Sequence, residues 1–173
     1  LTVNDGYFKT ADCNRNHGAI FYALYAAGEV GEVETVINGG TFETDGKVTA
    51  VSIGNDNENG DGGINAQSAA EIRGGTFKAP EGVPAVKKAT KTGNLAITGG
   101  TFSSDVSEYL AEGYVQNANG EVGSREEMMV AEVTTAEGVQ QYTSLAEAVE
   151  AAANNSVIKL LKDTEGDGIV IDT

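Results

Sequence analysis

The tetrapeptide Gly-Gly-Thr-Phe occurs three times in this chain, ending at Phe42, Phe77 and Phe102. Each copy follows an isoleucine and one polar residue, so the full motif reads Ile-x-Gly-Gly-Thr-Phe. A degenerate fourth copy, Val-Asn-Asp-Gly-Tyr-Phe, occupies residues 3–8. Internal repetition of this kind constrains architecture more strongly than activity. The sequence therefore predicts a repeat protein.

The spacing and content of the repeats favour strands over helices. The four motif phenylalanines, Phe8, Phe42, Phe77 and Phe102, are 34, 35 and 25 residues apart, and the intervening stretches contain Gly, Asn, Asp and short β-branched runs. Helical repeats of this length would need two amphipathic helices each. Residues 48–53 and 95–98 alternate apolar with small or polar residues, as half-buried strands do. A glycine pair suits the corner between two strands, so we predict a parallel β-solenoid with Ile above Ile and Phe above Phe.

The pattern changes after residue 104, where the repeats end and a capping region begins. Residues 105–113 are predicted to form a short helix that covers the end of the solenoid core, and 124–127 a charged linker. Residues 145–153, starting at Thr143 or Ser144, carry an apolar stripe and form the clearest predicted helix. A strand over 157–161 follows. The predicted domains are residues 1–124, the repeat domain, and 125–173, a linker plus a helix-strand cap unit.

These motifs carry a resemblance to a known group of proteins. The Ile-x-Gly-Gly-Thr-Phe repeats, with residues 103–115 after the last copy, resemble the right-handed β-helix repeats of large surface proteins of gut Firmicutes. Residues 142–149 and 158–163 are similar to the element that opens a further β-helical module in those proteins. The resemblance implies an all-β fold, a right-handed parallel β-helix of the pectate-lyase-like kind with a short C-terminal helical cap and additional strands. It also implies a secreted or wall-attached bacterial protein, but it supplies no catalytic residue because fold alone does not define an enzyme.

The net charge of the chain argues against nucleic acid and anionic membranes as binding partners. The formal net charge is −15, and an acidic surface repels both nucleic acid and anionic membrane surfaces. No apolar run approaches membrane-spanning length, so membrane insertion is not expected. Both ends of the sequence fall in strand-like patterns, from which we expect the chain to be a fragment of a longer protein.

We consider the single cysteine as a catalytic nucleophile. Cys13 cannot form an internal disulfide, and His17 lies only four residues further along the chain. A Cys/His nucleophile is conceivable, but the surrounding residues favour a polar loop between strands. Unpaired cysteine outside the cell fits Gram-positive or anaerobic secretion. We therefore assign no catalytic residue here.

One loop resembles a calcium site in composition. Residues 55–63 place oxygen-bearing side chains at alternate positions before a glycine, as calcium loops do. The first position, Asn55, lacks a carboxylate, and the twelfth is Ala66 where a bidentate glutamate is expected. Residues 163–168 are a weaker version of the same pattern. A solvated loop is favoured in both places, so the sequence predicts no metal ligand and no cofactor.

Five of the eleven basic residues fall in one repeat. They are Arg73, Lys78, Lys87, Lys88 and Lys91. A cationic base with Ca²⁺ acting on an acidic sugar would make a lyase-like cleft, but the sequence does not group acidic calcium ligands on the same face. Charge balance against neighbouring acidic repeats is the favoured interpretation.

Exposed aromatic rings would indicate sugar binding, because sugar faces stack on them. The chain has no tryptophan, and its tyrosines are Tyr7, Tyr22, Tyr25, Tyr109, Tyr114 and Tyr142. Tyr22 and Tyr25 belong to an apolar strand pattern and are predicted to be packed. A carboxylate pair for glycoside hydrolysis cannot be chosen among 26 acidic residues. The sequence therefore assigns no ligand-binding residue.

Taken as a sequence, the chain favours a non-enzymatic structural or adhesive segment of a bacterial cell-surface protein, extracellular or attached to the cell wall. Glycans and host surface proteins are the expected partners, and uncovered strand edges suggest end-to-end self-association. The alternative is a fragment of a carbohydrate-active enzyme, a polysaccharide lyase or a glycoside hydrolase.

Overall fold

A computed structural model describes residues 1–10, 21–24, 34–47, 49–53, 69–88 and 94–164. The chain divides into two compact units, Leu1–Gly123 (unit 1) and Ser124–Thr173 (unit 2). Strands predominate in both units. In chain order the strands of unit 1 are β1 Thr2–Val3, β2 Tyr7–Thr10, β3 Phe21–Leu24, β4 Glu34–Ile37, β5 Thr41–Thr44, β6 Val51–Ile53, β7 Ala69–Ile72, β8 Thr76–Lys78, β9 Val86–Lys88, β10 Asn94–Ile97, β11 Gly100–Phe102, β12 Tyr114–Gln116 and β13 Glu121–Ser124, whose last residue opens unit 2.

The repeats of unit 1 pair in parallel and in register. One sheet has the order β1-β4-β7-β10, a second contains β11-β8-β5-β2, and a third is β3-β6-β9. Ile37 lies opposite Ile72, which lies opposite Ile97, so equivalent motif positions are hydrogen-bonded neighbours. All three isoleucines are fully buried. The sequence repeat is therefore also a structural repeat, strand by strand.

The phenylalanines of the motif form a continuous stack. The ring centroids are 4.8 Å apart for Phe8 and Phe42, 5.1 Å for Phe42 and Phe77, and 4.7 Å for Phe77 and Phe102. Neighbouring planes deviate by 10° or less. The predicted Ile and Phe ladders are thus confirmed, and they form the main hydrophobic cluster of the unit.

The glycine pair of each motif is required by the close approach of successive repeats. Gly75 has φ +108°, a backbone conformation that side chains resist, and a Cβ there would lie 2.9 Å from the carbonyl oxygen of Gly40. A Cβ on Gly74 would lie 2.5 Å from the carbonyl oxygen of Asn38. The predicted use of glycine at the corner is confirmed, since both positions exclude a side chain.

The predicted fold class is wrong. We expected an all-β, right-handed parallel β-helix, a pectate-lyase-like solenoid with a short C-terminal helical cap. The structure is mostly β, but its strands form several separate sheets with parallel and mixed pairing, and no solenoid is found among the described residues. β13 pairs antiparallel with β11, for example. The repeated motif correctly predicts which strands are neighbours. In-register pairing within each sheet does not by itself join the separate sheets into one solenoid.

The predicted helix over 105–113 is largely absent. Only Ser107–Tyr109 is helical, as a 3₁₀ turn, because Leu110 adopts an extended conformation and the N–H of Ala111 donates to the carbonyl oxygen of Ile97 rather than to the preceding turn. Val106 is fully buried, and Leu110 forms an isolated parallel bridge with Ile97. The segment therefore packs against the last repeat as expected, although it does so without a helix.

Unit 2 is a small sheet with a helix on one face. It contains α1 Arg125–Met128, β14 Ala131–Thr135, β15 Gly138–Tyr142, α2 Leu145–Ala151 and β16 Val157–Leu160, and the sheet order is β15-β14-β16 with antiparallel pairing throughout. The predicted linker over 124–127 is wrong, because Ser124 caps α1 by accepting the N–H of Glu127. The predicted helix after Ser144 is confirmed, with a capping box between Ser144 and Glu147. Ala131, Val133 and Ala148 form its core.

Candidate functional site

Charged side chains on the second sheet of unit 1 pair across neighbouring strands. Lys9 on β2 lies opposite Glu43 on β5, which lies opposite Lys78 on β8. The Lys9 Nζ is 2.7 Å from Glu43 Oε1 and 3.0 Å from Asp45 Oδ2. The Tyr7 hydroxyl donates to Glu43 Oε2 at 3.2 Å. The charges alternate in sign along this row, so each charged side chain has a neighbour of opposite charge.

These contacts favour the charged forms of both partners. The hydrogen bond from Lys9 holds the pKa of Glu43 below its ordinary value, assisted by the bond from Tyr7. The hydrogen bonds to Glu43 and then to Asp45 raise the pKa of Lys9. Both shifts move away from neutral pH, whereas a general acid or base works best with a pKa near the operating pH. The row is suited to structural pairing rather than to proton transfer.

The basic cluster of the sequence is distributed over three sheets. Arg73 follows β7 and donates to Glu71 Oε2 at 2.6 Å, which lowers the pKa of that carboxyl. Lys78 stands opposite Glu43 in the second sheet, while Lys87 and Lys88 belong to β9 in the third. Lys91 lies outside the described residues. The four described cations therefore do not belong to one sheet, and two of them, Arg73 and Lys78, lie beside carboxylates.

The metal and cysteine hypotheses fall largely outside the described residues. The loop 55–63, Cys13 and His17, and residues 165–168 all lie there. Among the residues that are described, no group of three or more His, Cys, Asp or Glu side chains is placed to hold a metal ion. In the same part of the chain, no helix is long and apolar enough to cross a membrane.

The described tyrosines differ in their surroundings. Tyr7 is 63% exposed, whereas Tyr109 and Tyr114 pack against the core of unit 1. Burial is the main cause that raises the pKa of Tyr109, with a hydrogen bond to Glu108 adding to it. Tyr142 packs against the core of unit 2. Tyr25 and the side chain of Tyr22 lie outside the described residues.

A groove of about 880 Å³ lies within unit 2. It runs between the β14–β15 hairpin and the chain that follows α2. Its lining residues are Val133, Thr135, Ala136, Glu137, Gly138, Val139, Gln140, Tyr142, Ala151, Ala153, Asn154, Asn155 and Ser156. Val133 lies at the base of the groove and is only 1% exposed. The groove therefore combines a buried base with an accessible polar rim.

The groove exists because α2 is shorter than the sheet beneath it. A seven-residue helix is about 10 Å long, whereas five-residue strands such as β14 and β15 extend about 17 Å. Gln140 lies directly opposite Val133, and directly paired residues share a face of the sheet. Part of the helix-bearing face thus extends beyond the helix and stays uncovered.

Hydrogen bonds orient two walls of the groove. The Tyr142 hydroxyl donates to Gln140 Oε1 at 2.9 Å, which leaves the amide NH₂ of Gln140 as the free end of that side chain. On the other wall, Ser156 Oγ accepts the N–H of Ala153 at 3.0 Å, and Asn155 adopts φ +71°. Asparagine tolerates this left-handed conformation better than most residues. The turn after α2 is held in place and carries exposed amides beside the groove.

Sequence reasoning missed this groove. It assigned no ligand-binding residue and considered tyrosines alone as candidates for sugar contacts. The available signal was the occurrence of two amide pairs, Gln140 with Gln141 and Asn154 with Asn155, on either side of α2. The depth of the groove depends on the length of the helix relative to the strands, which those pairs do not report.

Comparison with known proteins identifies no relative: no family model, no curated protein and no solved structure matches the chain.

Proposed function

We propose that the chain is a non-enzymatic structural or adhesive segment of a bacterial cell-surface protein. The observation that carries the proposal is the in-register stacking of the motif, with Phe8, Phe42, Phe77 and Phe102 in one column. Each repeat contributes an inward phenylalanine, and an inward isoleucine in the last three copies corresponds to Val3 in the first. In a scaffold of this kind the buried residues stay the same from one repeat to the next, while the outward-facing residues can vary.

The outward positions of the repeats do vary. Where the inward column is always phenylalanine, the next outward position is Lys9, Glu43 and Lys78 in successive repeats. The residue before the glycine pair is Asn38, Arg73 or Thr98. A catalytic site would need a particular set of side chains to converge at one place. Variation outside a constant core supports a scaffolding role.

The charge arrangement supports the same proposal. The described cations on the second sheet are paired laterally with carboxylates, and the affected pKa values move away from neutrality. A polysaccharide lyase would need a base with a pKa close to neutral pH in a groove. The enzymatic alternative has no comparable support from the described residues.

Deletion of one whole repeat tests the scaffold. Gly40 and Gly75 occupy equivalent motif positions, so removing residues 40–74 joins Gly39 directly to Gly75 and restores one intact motif. We expect the shortened chain to fold and to resist stretching at a similar force. Single-molecule force measurements should show a final unfolded length shorter by about 12 nm, since each extended residue spans about 3.3–3.6 Å. A shortened chain that fails to fold would overturn interchangeable repeats.

An activity screen tests the non-enzymatic part. Incubation of the full chain with polygalacturonate, xylan and mucin glycans should release neither reducing ends nor unsaturated products. Release that disappears in Lys87→Ala or Lys88→Ala would establish the lyase alternative.

The proposed cell-surface location is tested by the full reading frame. A signal peptide and a wall anchor are expected there, and an intracellular enzyme domain would contradict the proposal.

A further inference from the structure

We infer that the groove of unit 2 binds a neutral saccharide. The inference goes beyond the proposed function, because it concerns unit 2 and does not depend on the stacked repeats. It rests on the size of the groove, on the chemistry of its rim and on its charge.

The size of the groove fits a small ligand. Binding pockets commonly measure about 300–1,000 Å³ and combine apolar walls with a few polar groups. The groove of about 880 Å³ falls in this range. Ala151 contributes accessible apolar surface, while Tyr142 contributes an aromatic ring. A sugar ring has an apolar face of C–H groups that can pack against such surfaces.

The polar rim suits hydroxyl groups. Side-chain amides both donate and accept hydrogen bonds, as sugar hydroxyls do. Gln140, Asn154 and Asn155 supply amides at the groove, and all three are exposed. The bond from Tyr142 occupies the amide oxygen of Gln140 and leaves its two N–H donors for a ligand. The hydroxyls of Thr135 and Ser156 also line the groove, but both already make internal hydrogen bonds: Thr135 donates to the Gly138 carbonyl and accepts the N–H of Glu137, and Ser156 accepts the N–H of Ala153.

Charge selects a neutral ligand over an acidic one. Glu137 is the one charged side chain among the described residues that line the groove. A uronate, sialic acid or phosphate would bring its negative charge to a rim without Lys or Arg, the residues that usually bind such groups. The net charge of −15 adds to the repulsion. A ligand with hydroxyls and no charge is the class that this rim accommodates.

The binding test uses the full chain and defined oligosaccharides. Cellohexaose, xylohexaose and mannohexaose serve as neutral probes, and a hexamer of galacturonic acid serves as the acidic probe. We expect at least one neutral probe to shift the amide NMR signals of Gln140, Asn154 and Asn155 in a saturable way, with little effect of the acidic probe. Absence of saturable shifts with all three neutral probes at millimolar concentration, or equal binding of the acidic probe, would overturn the inference.

Two adjacent glutamines provide a matched pair of variants. Gln140 shares a face with Val133, whereas its neighbour Gln141 lies opposite Glu132 on the other face of the sheet. Both side chains are exposed, so neither substitution should prevent folding. Gln140→Ala should weaken the binding of the neutral probe about fivefold, through loss of a hydrogen bond, and Gln141→Ala should leave it within about twofold. Equal weakening by both variants would place the ligand elsewhere.

A third variant separates orientation from direct contact. Tyr142→Phe keeps the ring and removes the hydroxyl that donates to Gln140 Oε1. We expect weaker binding with an unchanged set of shifted signals, because the amide is less well oriented while the groove is intact. Binding unaffected by both Tyr142→Phe and Gln140→Ala would show that this wall does not contact the saccharide.

Discussion

The two units of this chain differ in whether their core contacts repeat and in the size of the side chains that they bury. Unit 1 pairs residues that are far apart in sequence, such as Phe42 with Phe77, and repeats the same contact from one motif to the next. Unit 2 does not repeat a motif: β14 pairs with β15 across a short hairpin, with Thr135 opposite Gly138, and with β16 beyond α2, with Ala131 opposite Leu160. Large rings fill the first core, whereas Ala131, Val133 and Ala148 fill the second. Stability in unit 1 should therefore depend on ring packing and glycine geometry, and stability in unit 2 on local devices such as the helix cap.

The largest effect should come from truncating a ring inside the stack. Phe77 is fully buried between Phe42 and Phe102, so Phe77→Ala should cost about 3–5 kcal/mol of unfolding free energy. Hydrogen exchange followed by mass spectrometry can measure the loss in each unit separately. Phe77→Leu, which keeps most of the apolar volume, should cost clearly less. A loss below about 1 kcal/mol for the alanine variant would contradict the importance of the stack.

The next effect should come from the glycine corner. Gly75→Ala forces a side chain into φ +108° and places its Cβ 2.9 Å from the Gly40 carbonyl oxygen. Backbone strain of this kind costs roughly 1–3 kcal/mol, and the contact adds to it. Gly82 has φ +77°, and a Cβ at that position would meet nothing within 4 Å, so Gly82→Ala isolates the strain from the contact. Equal midpoints in denaturant for the two variants would show that close approach of the repeats is unimportant.

In unit 2 the expected effect is smaller and local. Ser144→Ala removes the side chain that accepts the N–H of Glu147 and so breaks the capping box of α2. Loss of such a cap costs about 1 kcal/mol. Ser144→Asp keeps an acceptor at the same position and should recover most of the loss. Exchange rates of the α2 amides should rise in the alanine variant, and a larger change in unit 1 than in unit 2 would contradict the local role.

The smallest effect concerns the surface charges and depends on pH. The folded state lowers the pKa of Glu43, so the stability from its ionised form is present above the ordinary glutamate range. That contribution should disappear as pH falls through the lowered folded-state pKa. Glu43→Gln should therefore be slightly less stable than the parent at pH 7 and equally stable at strongly acidic pH. High salt should reduce the difference at pH 7, and a difference that is the same at every pH would contradict the pairing with Lys9.

Several features of the fold could be predicted from residues alone because they are local or strictly repeated. The Ile and Phe ladders follow from identical residues at equivalent positions, and the glycine corners follow from the repeated pair. The start of α2 follows from Ser144 and Glu147, three residues apart. The predicted helix over 105–113 failed because Leu110 is extended and pairs with Ile97 of the last repeat, which confines helical structure to one 3₁₀ turn.

The candidate site was less predictable than the fold. The five basic residues looked like one cluster because they lie close together in sequence. In the structure Arg73 has Glu71 as its partner, and Lys78 and Lys87 belong to different sheets. Conversely, Gln140 and Asn154 are separated by α2 in sequence and line the same groove.

The amino-acid sequence determines which strands of unit 1 are neighbours, because a repeated Ile-x-Gly-Gly-Thr-Phe motif buries its apolar residues only when the copies pair in register. The sequence also determines the positions that require glycine, because only glycine fits between the backbones of successive repeats. Packing in three dimensions, by contrast, decided that the strands form separate sheets rather than one solenoid, and that a short α2 leaves the Gln140 side of its sheet uncovered. Those outcomes depend on how elements of different length pack in space, and that packing is not encoded at any single position.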